Sequence, residues 1–334
     1  MKVSVIGAGS WGTALAQVLA SNRHNVGLWA RKPEVVSGIN EQHRNPRYLS
    51  DVELSPDIVA TLSYRDTLLR ARAVLVVTPS HMVRGVARAL SDVIDADLPI
   101  LICSKGIEEG SGMLPIDVMA QEVGNAARVA VLSGPNHAEE VIKGTPAATV
   151  IASSSSDTAA FFRDLLATDA FRAYTSDDPV GVELCAAFKN VIAIAVGVAY
   201  GMGFGDNTAA MLITRGLAEM SRMVVACGGE ALTCMGLAGT GDMVATCMSK
   251  HSRNRRFGEE YVACGKTLAD FEADTHMVVE GALACKTIEP LARRVGVELP
   301  ITDVVREVVW NGADPREAAK VLTNRPLKSE FYGI

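Results

Sequence analysis

The chain has no excess of positive charge, no Cys-x-x-Cys pair, no internal repeat and few aromatic residues. Each shortage narrows what it can be. Lysine and arginine number 32 against 38 aspartates and glutamates, a formal net charge of -6. That argues against a general nucleic-acid surface, which needs a basic excess; a local basic cluster can still hold one small anion. The seven cysteines, at 103, 185, 227, 234, 247, 264 and 285, are odd in number and scattered. This pattern argues against a metal or redox centre and against a secreted disulfide framework. Buried, reduced thiols are the expectation, and no metal site is expected. Residues 2–6 run straight into a glycine motif, with no room for a basic segment, an apolar segment and a cleavage site. A cytoplasmic location is expected on that ground.

What is present is a globular composition. Hydrophobic residues make up 49% and charged residues 21%, with 5% aromatic, well away from disordered or fibrous chains. A length of 334 residues suits two domains. Residues 184–202 are strongly apolar, but Lys189 and Asn190 sit inside the run and glycines follow at 197, 201 and 203. A lysine at the centre of a membrane span costs about 2.5–3.5 kcal/mol or more. A buried helix of a soluble core is the better reading.

The first half alternates short β-branched runs with helical patterns. Residues 3–6, 26–29, 73–77, 100–103, 129–132 and 149–152 read as strands, and residues 13–20 as a helix rich in alanine and leucine. Strand, helix, strand at this spacing is a βαβ unit and implies a parallel sheet. The serine run 153–156 reads as a linker or as the entry to a helix over 158–166, capped by Ser156 or Asp157. Residues 171–174 suggest one more strand. From about Val180 helical periodicity dominates, so the chain divides into residues 1–180, an α/β domain with a doubly wound, mostly parallel sheet, and residues 181–334, an all-α domain.

Gly7-Ala8-Gly9-Ser10-Trp11-Gly12 is G-x-G-x-x-G between the first strand and its helix. In a dinucleotide-binding (Rossmann) turn the first glycine makes the tight turn. The second lets the backbone approach a pyrophosphate, and the third permits close helix–strand packing. The helix start then offers free N–H groups to the phosphates. An NAD-specific site usually ends its second strand with an acidic residue for the ribose 2′-hydroxyl; here the chain reads Trp29-Ala30-Arg31-Lys32. Arg31 and Lys32 could pair with a 2′-phosphate, or form a solvated basic turn.

Farther along, Lys189 is surrounded by Ala186, Ala187, Phe188, Val191 and Ile192. A lysine there is expected to be at least partly buried, and burial disfavours its charged form, which suits proton exchange near neutrality. The run 236–242 is a glycine-rich turn delivering Asp242 to the start of another helix, where an aspartate is often only a cap. Ser252-Arg253-Asn254-Arg255-Arg256 places three arginines behind a capping serine, a pattern that suits phosphate or a solvated face. Two further loops end candidate strands, Cys103–Glu108 and Ser133–Glu140. Lys105 can partner a phosphate or carbonyl. His137 reads as a structural hydrogen-bonder rather than a general base.

Together these residues resemble the bacterial type of NAD(P)-dependent glycerol-3-phosphate dehydrogenase. The resemblance is carried by G-A-G-S-W-G-T-A from Gly7, S-K-G-I-E from Ser104, S-G-P-N-H-A from Ser133 and F-K-N-V from Phe188. G-L-A-G-T-G-D from Gly236, S-R-N-R-R-F-G from Ser252 and V-V-E-G from Val278 complete it, in family order along nearly the whole chain. It implies reversible hydride transfer between NAD(P)H and dihydroxyacetone phosphate, giving sn-glycerol 3-phosphate for glycerophospholipids. It also implies a Rossmann domain followed by an all-helical substrate domain, commonly in a homodimer. Lys189 would then exchange the proton at the substrate C2 oxygen, with Asp242 orienting it. Lys105, Gly134 and Asn136 would line the substrate site, and Ser252, Arg253 and Asn254 would close over its phosphate. Gly7, Gly9, Ser10, Trp11, Gly12, Arg31, Lys105, Ala138, Arg253, Val278 and Glu280 would meet the cofactor. Asn136 is a position where the family also uses Thr or Ser.

Two other readings stand beside it. A 2-hydroxyacid or 6-phosphogluconate-type dehydrogenase shares the layout and a helical lysine followed by asparagine; the runs at 236–242 and 252–256 favour glycerol phosphate. A non-catalytic dinucleotide sensor would keep the first half and lose catalysis, against which the intact Lys189 and Asp242 count.

Overall fold

A computed structural model describes residues 1–275, 277–327 and 329–330. They form two compact units, Met1–Lys105 with Met113–Pro179, and Gly106–Gly112 with Val180–Ile334. The loop 106–112 thus joins the second unit, although chain order alone assigns it to the first. Its Glu109 pairs with Lys286 of the second unit at 2.8 Å.

The first unit is built on β1 (Lys2–Ile6), β2 (Asn25–Trp29), β3 (Ile58–Thr61), β4 (Val74–Val76), β5 (Ile100–Ile102), β6 (Val129–Ser133), β7 (Ala147–Ala152) and β8 (Phe171–Ser176). They make one sheet in the order β3-β2-β1-β4-β5-β6-β7-β8. From β3 to β6 every pair is parallel; β7 runs antiparallel to β6, and β8 parallel to β7. Its helices are α1 (Ser10–Ser21), α2 (Pro33–Gln42), α3 (Tyr64–Leu68), α4 (Val83–Ser91), α5 (Pro115–Val123), α6 (Ala138–Val141) and α7 (Ser156–Leu166). The central strands β4, β5 and β6 are buried at every residue, as expected of a parallel sheet covered on both faces. That is why β4 and β5 read as unbroken runs of Val, Ile and Leu, and β6 as Val-Ala-Val-Leu-Ser with no charged residue.

One strand, β3, goes beyond the sequence reading. It is four residues long, lies at the sheet edge and leaves Val59 well exposed, so it lacks the continuous buried run that marks the central strands; pairing with β2 defines it. The serine run is no linker. Ser153 is buried and donates to the Val129 carbonyl at 2.7 Å, and Ser155, earlier than either expected cap, accepts from the Thr158 amide at 3.3 Å.

The second unit holds α8 (Pro179–Gly201), α9 (Asp206–Ala226), α10 (Asp242–Met248), α11 (Arg253–Cys264), α12 (Leu268–Thr275), α13 (Glu280–Val295), α14 (Pro300–Asn311) and α15 (Pro315–Thr323), with no strand among its described residues. α8 is long and apolar enough to cross a membrane, but every residue from Gly181 to Ile194 is buried in the protein. Glycines let neighbouring helices approach it closely. A Cβ at Gly281 would press on the Asn190 backbone, with its carbonyl carbon at 2.7 Å, and one at Gly258 would stand 2.7 Å from the Val198 nitrogen. Of the cysteines, five are buried, whereas Cys227 is half-buried and Cys264 exposed, so the expectation of buried thiols fails at those two.

Candidate active site

In a doubly wound sheet, ligands meet the carboxyl ends of the strands where the strand order reverses. Here the reversal falls between β1 and β4. The glycine turn leaves β1 at this edge. Gly7 has φ +121°, and a Cβ on it would stand 2.6 Å from the Val77 carbonyl oxygen; a Cβ on Gly12 would collide with the Gly7 carbonyl. Both positions therefore need glycine for packing. Gly9 is different: nothing lies within 4 Å of where its Cβ would stand, which leaves the turn open to a ligand.

Neighbouring side chains fit a dinucleotide there. The Trp11 Nε1–H is buried without an acceptor among the described residues, and its ring packs edge-on to Phe171 at 6.3 Å. Ser10 is half-buried at the helix start. Arg31, just beyond β2, is exposed and makes no hydrogen bond or ion pair among the described residues. Ala138, at the start of α6, is buried in the hydrophobic core.

The same edge carries the ends of β4, β5 and β6. Ser104 donates to the Thr78 carbonyl at 2.5 Å, joining the loops after β4 and β5, and half-buried Lys105 follows. After β6, the Asn136 Nδ2 donates to the Ala148 carbonyl at 2.8 Å, while its Oδ1 is buried without a donor among the described residues. A Cβ on Gly134 would stand 2.9 Å from both the Ala148 carbonyl oxygen and the Thr149 Cα, hence glycine. Thr78 was not anticipated. Nothing in V-V-T-P-S marks it, yet it flanks the glycine turn.

The second unit assembles the other predicted residues. Lys189 on α8 donates to Asp242 Oδ1, and their side chains are 8% and 3% exposed. Asp242 does not cap α10: the cap is Gly241, and the carboxylate faces Lys189 and the Thr246 hydroxyl, which donates to it at 3.2 Å. The glycine run is no open turn, for residues Leu237–Gly241 form a π-helical turn continuous with α10, a distortion frequent at functional sites. Burial alone would favour the neutral amine of Lys189, and the buried carboxylate opposes it. Beside the pair, burial pushes the Cys247 thiol up to about 12, with the charges of Lys189, Asp242 and Arg255 secondary, which disfavours the nucleophilic thiolate.

The arginine cluster divides by role. Arg255 binds Glu259 at 2.7 Å and the Met248 carbonyl at 2.6 Å, and lies over the Tyr200 ring. Arg256 pairs with Glu260 at 2.6 Å. Arg253 alone of the three is exposed with no hydrogen bond or ion pair among the described residues. Ser252 caps α11, accepting from the Arg255 amide at 3.3 Å. Asn254 is buried: its Nδ2 donates to Asn190 Oδ1 at 2.9 Å and its Oδ1 accepts from the Gly281 amide at 2.9 Å. Much of its amide is thus committed to holding α8 and the start of α13 beside α11, and its second N–H makes no bond among the described residues. Glu280 opens α13, and Val278 before it is exposed. Asn190 and Thr246 were missed as site residues, although Thr246 lies one helical turn beyond Asp242 and so on the same face.

The model of the N-terminus of NAD-dependent glycerol-3-phosphate dehydrogenase matches residues 2–159, and that of its C-terminus matches residues 178–320. The chain belongs to this family. The glycerol-3-phosphate dehydrogenase [NAD(P)+] of Chlorobium phaeobacteroides is 43% identical over 99% of the chain and 100% of its own length. That of Corynebacterium urealyticum is 44% identical over the same shares. The crystal structure of the glycerol-3-phosphate dehydrogenase of Coxiella burnetii superposes with a TM-score of 0.92 at 36% identity, covering 97% of this chain and 99% of that one. The glycerol-3-phosphate dehydrogenase family thus accounts for both units, the mostly parallel sheet and the helical second half alike.

Proposed function

We propose that this chain catalyses reversible hydride transfer between NAD(P)H and dihydroxyacetone phosphate, forming sn-glycerol 3-phosphate for glycerophospholipid synthesis. The observation that carries the reading is the buried Lys189–Asp242 pair in a member of this family. When bound, the reduced nicotinamide supplies the hydride. As it reaches the ketone carbon, negative charge develops on the C2 oxygen, and the Lys189 ammonium stabilises that charge and supplies the proton. Asp242 holds the ammonium in place, and Thr246 holds Asp242.

Phosphate recognition falls to Arg253, the remaining N–H of Asn254 and the backbone around Ser252, with Lys105, Gly134 and Asn136 lining the rest of the substrate site. Gly7, Gly9, Ser10, Trp11, Gly12, Arg31, Lys105, Ala138, Arg253, Val278 and Glu280 are assigned to the cofactor. The second unit serves as the substrate domain, and a cytoplasmic homodimer is the proposed state, to be checked by sedimentation. The test of function is nicotinamide absorbance with dihydroxyacetone phosphate, then with a 2-keto acid. Turnover of the first and not the second is expected, and preference for the keto acid would overturn the reading.

A further inference from the structure

Asn45 lies outside every motif noted above, on the segment that follows α2, and it is fully buried. Its Nδ2 donates to the Ala8 carbonyl at 3.0 Å and to the Thr13 hydroxyl at 2.9 Å. Its Oδ1 accepts from the amides of Arg47 and Tyr48 at 3.1 and 3.2 Å. All four hydrogen-bonding positions of the side-chain amide are used.

Two of those bonds grip the glycine turn on either side of the α1 start. Ala8 sits between Gly7 and Gly9, and Thr13 lies in the first turns of α1, its own amide bonded to the Gly9 carbonyl at 2.9 Å. A trans peptide is planar, so its C=O and N–H point in opposite directions. With the Ala8 oxygen turned toward Asn45, the Gly9 N–H is turned away from it. Gly9 is also the residue whose Cα faces open space.

We infer that Asn45 is a positioning residue for the cofactor: acting through Ala8, it holds the 8–9 peptide so that the Gly9 N–H faces the dinucleotide pyrophosphate. This rests on the reading that the pyrophosphate lies over Gly7–Gly12. The Asn45 side chain touches neither cofactor nor substrate; what it sets is the direction of a donor. Gly38 makes the contact reachable, because a Cβ there would press on Pro46 at 2.7 Å and push the segment away.

Asn45→Ala and Asn45→Asp test it. The aspartate keeps the acceptor for Arg47 and Tyr48 and loses the donor to Ala8. In either variant the Kd and KM for NADPH should rise about ten- to a hundredfold, the value of a lost, oriented hydrogen bond to a charged group. At saturating NADPH, kcat and the KM for dihydroxyacetone phosphate should stay within about threefold. A folded variant with lowered Tm but wild-type NADPH affinity would make Asn45 merely structural and overturn the inference. Gly9→Val is the control for the site itself. If it binds NADPH as wild type does, the pyrophosphate is not over the turn and the underlying reading falls; if only Gly9→Val loses binding, the Asn45 inference falls alone. Amide exchange at Gly9 in the wild type needs no variant to fold. Protection on adding NADPH is expected, and unchanged exchange overturns the inference.

Discussion

Asp242→Asn removes one charge and almost no volume, and two consequences follow from the burial of its partner. The Lys189 and Asp242 side chains are 8% and 3% exposed, so water cannot replace the missing charge. Breaking such a pair costs about 3–5 kcal/mol if the surviving ion stays charged. Lys189 can instead shed its proton, and Thr246 keeps an oxygen to donate to, so the lower end of that range is expected. Against a total stability of about 5–15 kcal/mol, urea unfolding will register it. The kinetic consequence has a direction. Burial favours the amine, and the carboxylate favours the ammonium. Without the carboxylate, Lys189 loses its proton at lower pH, so ketone reduction, which needs the ammonium, should fall off at lower pH than in the wild type.

Alcohol oxidation needs the amine, and its pH profile should move the same way. Initial rates in both directions across the neutral range, followed by nicotinamide absorbance, read this out. The paired replacement of Lys189 by Met and Asp242 by Leu separates stability from chemistry. It removes both charges of the pair together, so stability should recover, while turnover stays about 10²–10⁴ below wild type. Unchanged pH profiles in Asp242→Asn, with only a stability loss, would refute the catalytic assignment and leave the pair as structural.

Arg31→Ala should weaken NADPH more than NADH, by about 1.5–3 kcal/mol for a charged hydrogen bond; equal losses in the two dissociation constants count against a 2′-phosphate partner. Arg253→Lys keeps the charge but loses the planar fork, so kcat/KM for dihydroxyacetone phosphate should drop while that for unphosphorylated dihydroxyacetone barely changes. An undiminished phosphate preference in Arg253→Ala would clear Arg253 of that role. Glu219 accepts from the Ile301 amide at 2.6 Å and from Thr302. Burial pushes its carboxyl from 4.5 up to about 7, against those bonds and the charge of Arg222. A raised value in the folded state means stability fully present below pH 4.5 and lost as pH rises through about 7, about 3 kcal/mol in all. Urea unfolding against pH should show that decline in the wild type and not in Glu219→Gln; the same slope in both would rule Glu219 out as its source.

What could be read from the chain, and what could not, separates by the distance over which each residue finds its partner. The glycine turn was legible because strand, turn and helix are consecutive: Gly12 answers to the backbone of Gly7 and Gly7 to the neighbouring strand end at Val77, while Gly9 faces open space. Lys189 was legible as a charge among apolar neighbours on its own helix. Its partner was proposed only through the family motif, since Asp242 lies 53 residues on. The arginines show the limit most clearly. Three cations within four positions look equivalent in sequence, but Glu259 and Glu260, each one helical turn ahead, engage Arg255 and Arg256, and that i,i+4 spacing could have separated Arg253 from the other two.

Asn254 and Asn45 were beyond such rules. The first reaches Asn190, 64 residues back, and the second reaches Ala8, 37 residues back, and a buried asparagine carries no pattern that names its partner. Both spend their amides on backbone or on another amide that must stay in place. One joins the lysine helix to the start of α13, and the other joins a distant loop to the glycine turn. A local motif named Asn254 and none named Asn45, yet what each of them holds in place is visible only when the hydrogen bonds of a buried amide are traced to their ends.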